Sequence, residues 1–231
     1  MARVSRESPI DLFLKISQNL ASKHIEEILN LIVTMTAEVM GSKICSLMLL
    51  NESGDELAIA ATQALSIDYR NKPNVKVADS VSGRAVREKR PVMVADVTRE
   101  KAYRYPEIMR KEGIVSMVSI PMMVGDKVIG VVNSYTVEPH QFTEVEVKIL
   151  QAVANQAAVA IENTKLRRET AAAKQALEER KLVERAKALL MEKDRIKEDE
   201  AYRLLQKTSR DHRKPMAEVA NAILLAYPMK K

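Results

Sequence analysis

Near the end of the chain, the stretch "EDEAYRLLQKTSRDHRK" (198–214) sets Arg203, Lys207, Arg210 and Lys214 at steps of four, three and four. That spacing lines side chains up along one side of a helix. A row of cations is chemistry for phosphate, because guanidinium and ammonium groups donate charge-assisted hydrogen bonds to phosphoryl oxygens. The hydroxyls of Thr208 and Ser209 could reach phosphate or sugar oxygens, and His212 and Arg213 extend the patch past the end of the predicted helix. No acid interrupts the row, although Glu200 and Asp211 flank it. Arg185 and Lys187, earlier in the chain, are further candidates. Spacing alone leaves a second reading open: the row is the wet side of a small helical bundle. Ala201, Leu204, Leu205 and Thr208 form an apolar stripe of the same period and are the predicted bundle core.

Other reactive side chains form no site pattern. Cys45 is the one cysteine, so no internal disulfide and no intramolecular resolving pair can form. It lies in an apolar strand and is expected to act as a small buried hydrophobe. His24, His140 and His212 sit far apart in sequence, and no metal-ligand spacing occurs. There is no nucleophile–base motif, and with six glycines in the chain a phosphate-cradling glycine loop is not expected. The expectation is a protein without catalytic or metal-ligating residues.

With 231 residues, 46% hydrophobic and 29% charged, the chain has material for one or two packed domains. No apolar run reaches the roughly 18 residues of a membrane span, and no secretory signal opens the chain. A cytoplasmic protein with no membrane partner is the expectation, consistent with the single cysteine. Residues 181–231 hold thirteen Lys/Arg against eight Asp/Glu, so +5 of the net +6 resides there. Such asymmetry favours a polyanionic partner for the C-terminal part.

These groups must be positioned by a mixed architecture. Residues 10–40 read as two helices, with Ser22 as N-cap of the second and Gly41 as its stop. "KICSLMLL" and "ELAIAATQAL" read as a hairpin turning at Gly54. A short helix opens at Ser80 or Ser82, "PVMVADV" reads as a strand, and "YRYPEIMRKEG" as an irregular or helical piece. "VSMVSIPMMV" and "KVIGVVNSYT" are strands joined at Gly125-Asp126, which makes the region α+β with an antiparallel sheet and flanking helices. From Phe142 to Pro215 there is no Pro or Gly, so a nearly continuous helix is predicted over 143–193. Its stripe through Leu150, Ala154, Ala157, Ile161, Ala172, Ala176, Val183, Ala186 and Leu190 is predicted to pair with a second chain as a coiled coil, the alternative being a helix folded back on its own domain or broken near Glu169. Two further helices follow, the last with the stripe Met216, Val219, Ala220, Ile223, Leu224 and Tyr227, giving a three-helix bundle.

Residues 113–166, "GIVSMVSIPMMVGDKVIGVVNSYTVEPHQFTEVEVKILQAVANQAAVAIENTKL", resemble the C-terminal half of a GAF domain, a small-molecule sensor fold. With the upstream elements the resemblance covers 10–166. The signature of cyclic-nucleotide-binding members is absent, since "NKPNVKVAD" shares only its first two residues. The resemblance implies a pocket for a small-molecule effector whose identity and residues the sequence leaves unknown. Residues 183–224 resemble the ANTAR domain, an RNA-binding antitermination module of bacterial regulators. The match rests on Ala186-Lys187, Leu190-Met191, Glu200-Ala201-Tyr202, Leu204-Leu205 and Ala220. Ala188 stands where that family usually has glycine. The expected organisation is a sensor at 10–166, a dimerising helix at 143–193 and an RNA-binding bundle at 180–228. The resemblance implies a bacterial antitermination regulator, homodimeric, that grips hairpin RNA through the basic row. A DNA-binding factor with the same sensor, or a protein–protein dimerisation adaptor, are the alternatives.

Overall fold

The computed structural model describes residues 25–64 and 66–226. The helix expected within 10–20, the Ser22 cap, His24 and Tyr227 lie outside the described residues. The chain divides into two compact units between Thr164 and Lys165.

The first unit is a six-stranded antiparallel sheet in the order β3-β2-β1-β6-β5-β4. The strands are β1 (Ile44–Leu50), β2 (Glu56–Thr62), β3 (Val75–Lys76), β4 (Val92–Val94), β5 (Ser116–Val124) and β6 (Lys127–Thr136). The β1–β2 turn places Gly54 at φ +78°, a conformation open to glycine without steric cost. Both sheet faces are covered, which is why β5 and β6 read as nearly unbroken apolar runs rather than alternating ones. On one face α1 (Ile25–Met40) and the start of α5 (Glu144–Asp194) pack through Ile32, Val33, Leu150 and Ala154 onto Leu47, Ile120 and Val132. On the other face lie α2 (Ile67–Arg70), α3 (Val81–Glu88) and α4 (Pro106–Glu112). Their Tyr69, Val81, Ala85 and Met109 pack against Met48, Met117, Val131 and Tyr135. Pro121 sits within β5, opposite Val131. It is tolerated because β4 pairs β5 only as far as Ser119, so no partner at Pro121 needs the missing N–H.

Ser80 caps α3: its hydroxyl accepts from the Gly83 N–H at 2.9 Å and donates to the Lys76 carbonyl at 2.6 Å. A Cβ at Gly83 would collide with the Val77 backbone, so the first turn of α3 seats against that segment only with glycine.

The second unit is built on the end of α5 with α6 (Glu198–His212) and α7 (Met216–Ala226). Ala186, Leu190, Ala201, Leu205, Val219 and Ala220 are its buried core. The Glu200 carboxylate accepts the Lys197 N–H at 3.1 Å and fixes the start of α6.

Two expectations change. Leu204 is 40% exposed, because only two helices cover α6 and their arc takes in Ala201 and Leu205 but not their neighbour. The stripe assigned to a second chain is largely taken up inside this one. Leu150, Ala154 and Ala157 belong to the sheet core, and Ala186 and Leu190 to the bundle core. Between them, every residue from Lys165 to Lys181 is exposed.

Candidate functional site

Helix α6 turns the basic row outward. At about 100° per residue, Arg203, Lys207 and Arg210 fall on the side opposite Ala201 and Leu205, and all three are exposed. Among the described residues, the ion pairs of this unit are Lys165–Glu169, Lys181–Glu178, Lys187–Glu184, Lys187–Glu198 and Lys214–Glu218. None involves Arg203, Lys207, Arg210, Arg213 or Arg185. The cations in the centre of the row therefore face solvent without a counter-charge among the described residues.

The fourth member of the row is presented differently. The helix ends at His212, and Arg213 turns the chain at φ +51°. The Arg213 N–H donates to the Arg210 carbonyl at 3.2 Å and the Lys214 N–H to the Ser209 carbonyl at 3.0 Å, the paired closure of a Schellman motif. The Ser209 hydroxyl donates to the Lys214 carbonyl at 2.6 Å, so its proton is committed while its lone pairs stay open. Lys214 thus leaves helical register and reaches Glu218 at 3.0 Å. Thr208 is half-buried. Arginine at this left-handed position, where glycine is usual, costs about 1–2 kcal/mol of backbone strain.

Lys187 is not part of the accessible set. It is 8% exposed, and its ammonium is held at 2.9 Å by Glu184 and 2.7 Å by Glu198. The Glu198 hydrogen bond, with help from Glu184, raises its pKa, while Lys187 lowers that of Glu198. It joins α5 to the start of α6. Arg185, by contrast, is exposed.

The sensor unit contains a cavity of about 30 Å³ between β1, β5, β6, the start of α3 and residues 102–105. Met48, Met117 and Tyr135 give it an apolar floor; Ser80, Ser82, Tyr103 and Lys72 supply polar atoms. The Lys72 ammonium lies 4.2 Å from the Tyr69 ring centroid. Burial lowers its pKa to about 8, and among the described residues it has no ion-pair partner. Tyr69 is held by a 2.9 Å hydrogen bond between its hydroxyl and that of Ser46, and by an edge contact with Tyr135 at 5.9 Å. Tyr105 lies 3.0 Å from the carbonyl oxygens of both Pro73 and Asn74 and donates its one proton across them, tying residues 102–105 to the Lys72 loop. Arg104, also lining the cavity, pairs with Asp79.

No linear motif announces this cavity, because its residues come from separate elements. A compositional signal exists: the chain has no Trp, two Phe and six Tyr, and Tyr69, Tyr103, Tyr105 and Tyr135 all gather here. Cys45 is fully buried on the opposite sheet face, where burial pushes its thiol up to about 12. Among the described residues no cluster of three or more His, Cys, Asp or Glu could hold a metal, and no helix is long and apolar enough to cross a membrane.

Residues 22–162 match the GAF domain family. The chain belongs to that family. An ANTAR domain follows at 171–224, which implies regulation by RNA-binding antitermination, as the GAF domain suggests signal sensing. The Nitrate regulatory protein of Klebsiella oxytoca is 44% identical over 54 residues, 23% of this chain and 14% of that protein. The chain therefore spans a small part of that relative's length. Among solved structures, the GAF domain of a phosphoenolpyruvate-protein phosphotransferase from Coxiella burnetii superposes with a TM-score of 0.63 at 22% identity, over 69% of this chain and 95% of that one. A free methionine-R-sulfoxide reductase from Neisseria meningitidis superposes at 0.60 with 18% identity, over 72% of this chain and 95% of that one. At such identities the likeness is one of fold. No catalytic family is identified for either domain.

Proposed function

We propose that this chain is a signal-responsive antitermination regulator that works in the cytoplasm as a pair of chains. Its ANTAR domain binds hairpin RNA in nascent transcripts through the outer face of α6 and the turn after it. One observation carries the reading: within the ANTAR match, Arg203, Lys207, Arg210 and Arg213 stand exposed with no ion pair among the described residues. Arg185, Lys214 and the open lone pairs of Ser209 and Thr208 border that patch. Tyr202 is the one exposed aromatic among the described residues of α6 and α7, so a stacking platform for single strands is absent there. Structured RNA, gripped by its backbone and loop, suits such a surface.

The GAF cavity is the proposed sensor site. A half-buried Lys72 with its pKa depressed by burial costs stability until an electron-rich group approaches it, and such a group on an effector would recover that cost. At about 30 Å³ the cavity holds little more than water, so occupation requires the 102–105 segment to move. Effector binding would then shift the pairing of α5 and change whether two ANTAR domains engage RNA together.

The test compares binding of the full chain to hairpin RNA and to duplex DNA of the same sequence at fixed salt. The expected result is a preference of at least tenfold for the hairpin. Preference for duplex would point to a DNA-binding factor, and no binding to either would leave an adaptor; both outcomes overturn the RNA assignment.

A further inference from the structure

The cavity beneath residues 102–105 has hydrogen-bond donors left over. The Lys72 ammonium and the Tyr103 hydroxyl line it, and neither makes a hydrogen bond among the described residues. Burial raises the Tyr103 pKa, so that proton stays in place to be donated. The serine protons of the same wall are already committed. Ser80 donates to the Lys76 carbonyl, and Ser82 donates to Asn133 Oδ1 at 3.2 Å. Charge points the same way as the donors. Lys72 and Arg104 line the cavity, and among the described residues no acid does. Asp79 reaches Arg104 from beside that lining, so two cations against one carboxylate leave one positive charge unmatched. Asp79 is itself poorly served, because its Oδ1 is buried with no hydrogen-bond partner among the described residues.

We propose that the effector of this cavity is a short-chain monocarboxylate, received by Lys72, Tyr103 and Arg104, with its apolar body on Met48, Val81 and Met117. The proposal rests on reading the cavity as the sensor site, and it names the chemistry of the ligand. A monoanion matches the one unmatched charge. A dianion would leave an excess of negative charge, and an amine would add a third cation. A neutral apolar ligand would leave the Lys72 ammonium half-buried and unpaired. A carboxylate also has the right acceptors: its two oxygens meet the parallel N–H groups of a guanidinium and keep lone pairs for the ammonium and the phenol. Entry and recognition are one event in this arrangement. Arg104 and Tyr105 hold residues 102–105 closed through Asp79 and the carbonyls of Pro73 and Asn74. The side chains of the Arg104–Asp79 pair are 49% and 41% exposed, and exposed pairs contribute only about 0–1 kcal/mol. As the segment moves to admit the ligand, Arg104 exchanges Asp79 for the incoming carboxylate. Asp79 then gains water for the oxygen that has no partner in the closed cavity.

The experiment titrates the full chain with sodium propionate, propionamide and n-propylammonium chloride at fixed ionic strength, read by melting temperature and by tyrosine emission. The chain has no Trp, and Tyr69, Tyr103, Tyr105 and Tyr135, four of its six tyrosines, gather at the cavity, so the emission reports on it. Propionate should raise the melting temperature and change the emission, binding about 10- to 100-fold more tightly than propionamide, the ratio that one charged hydrogen bond supplies. The amine should do neither. Lys72→Met should weaken propionate by a similar factor. Asp79→Asn, which frees Arg104 from its partner, should tighten it several-fold, an outcome that a merely structural role for Asp79 does not give. No response to propionate, an equal response to propionamide, or a propionate response that survives in Lys72→Met would overturn the carboxylate. An emission change with propionamide or the amine alone would overturn it too, while keeping the cavity as the sensor site. A melting temperature raised by propionate with unchanged emission would put the ligand elsewhere and overturn the sensor reading of the cavity as well.

Discussion

The two units of this protein keep their chemistry on opposite sides of their cores. The GAF unit is a sheet covered on both faces, and its distinctive polar groups Tyr69, Ser46 and Asn133 lie inside among apolar side chains, with the half-buried Lys72 over the Tyr69 ring. The ANTAR unit has a core of six buried residues, half of them alanine, and carries its cations outside. A large core can enclose a polar cavity and still have apolar packing on every side. A three-helix core of this size has no interior to lend, so function must be written on its surface. The units should therefore respond differently to damage: the bundle should fail as a whole, and the sensor should tolerate single losses.

The largest expected effect tests that difference. Leu205 is fully buried at the centre of the bundle, and Leu→Ala at such a site costs about 2–5 kcal/mol. That approaches the whole stability of a domain this small. Leu205→Ala should therefore melt the ANTAR unit and abolish RNA binding, while hydrogen exchange in β1, β5 and β6 stays slow. Leu47→Ala in the sensor sheet, with the same loss of volume, should lower the melting temperature without unfolding that unit at 25 °C. Equal protection of both units in the Leu205→Ala chain would mean that the two cores are less unequal than their composition suggests.

Next in size is the surface itself. Replacing Lys207 and Arg210 together with Ala removes two exposed cations that make no ion pairs among the described residues, so folding should be unaffected. RNA affinity should fall about 10- to 100-fold, and the slope of log K against log salt should shrink by about 0.7–0.9 for each phosphate that is no longer neutralised. An unchanged slope would return the row to a solvated face.

The same contrast decides what could be read from sequence. The row on α6, the Gly54 turn, the Ser80 cap and the alternation of strands and helices are local, written in spacings of two to seven residues. They survive folding because no distant contact competes with them. The end of the row is less legible, since Arg213 in a left-handed turn looks in sequence like one more helical residue before Lys214. Lys187 is equally opaque: its removal from the basic set depends on Glu198, eleven residues away across the α5–α6 turn. The cavity is the extreme case, assembled from residues between Met48 and Tyr135 that share no period. Periodicity also finds an apolar stripe on α5 without revealing that the chain itself covers most of it.

Lys72 gives a smaller effect, with a defined sign in pH. Burial depresses its folded-state pKa to about 8, below the unfolded value, so the unfolded chain binds more protons between pH 8 and the ordinary lysine range near 10.5. Stability of the GAF unit should rise with pH across that window. Below it the lysine is charged in both states, and the burial penalty is present in full. Lys72→Met should raise the melting temperature at pH 7 and flatten the rise above pH 8. If the variant also loses its response to effector, the lysine is held charged against the fold for binding. A melting temperature that falls at pH 7 would show that the contact over the Tyr69 ring outweighs the burial.

The smallest effect is the most discriminating, because it separates folding from binding at one residue. Arg213 closes α6 in a left-handed conformation that glycine adopts freely. Arg213→Gly relieves backbone strain but makes the unfolded chain more flexible, so the net gain should be under about 1 kcal/mol, a rise of a few degrees for a unit of this size. The hydrogen bonds from the 213 and 214 N–H groups need no side chain and should persist. If Arg213 is present only to end the helix, RNA binding should hold or improve with stability. If the guanidinium touches phosphate, the more stable protein should bind more weakly, with a salt slope lower by about one neutralised phosphate. The second outcome is expected, because an arginine kept where glycine fits better is accounted for by something its side chain touches.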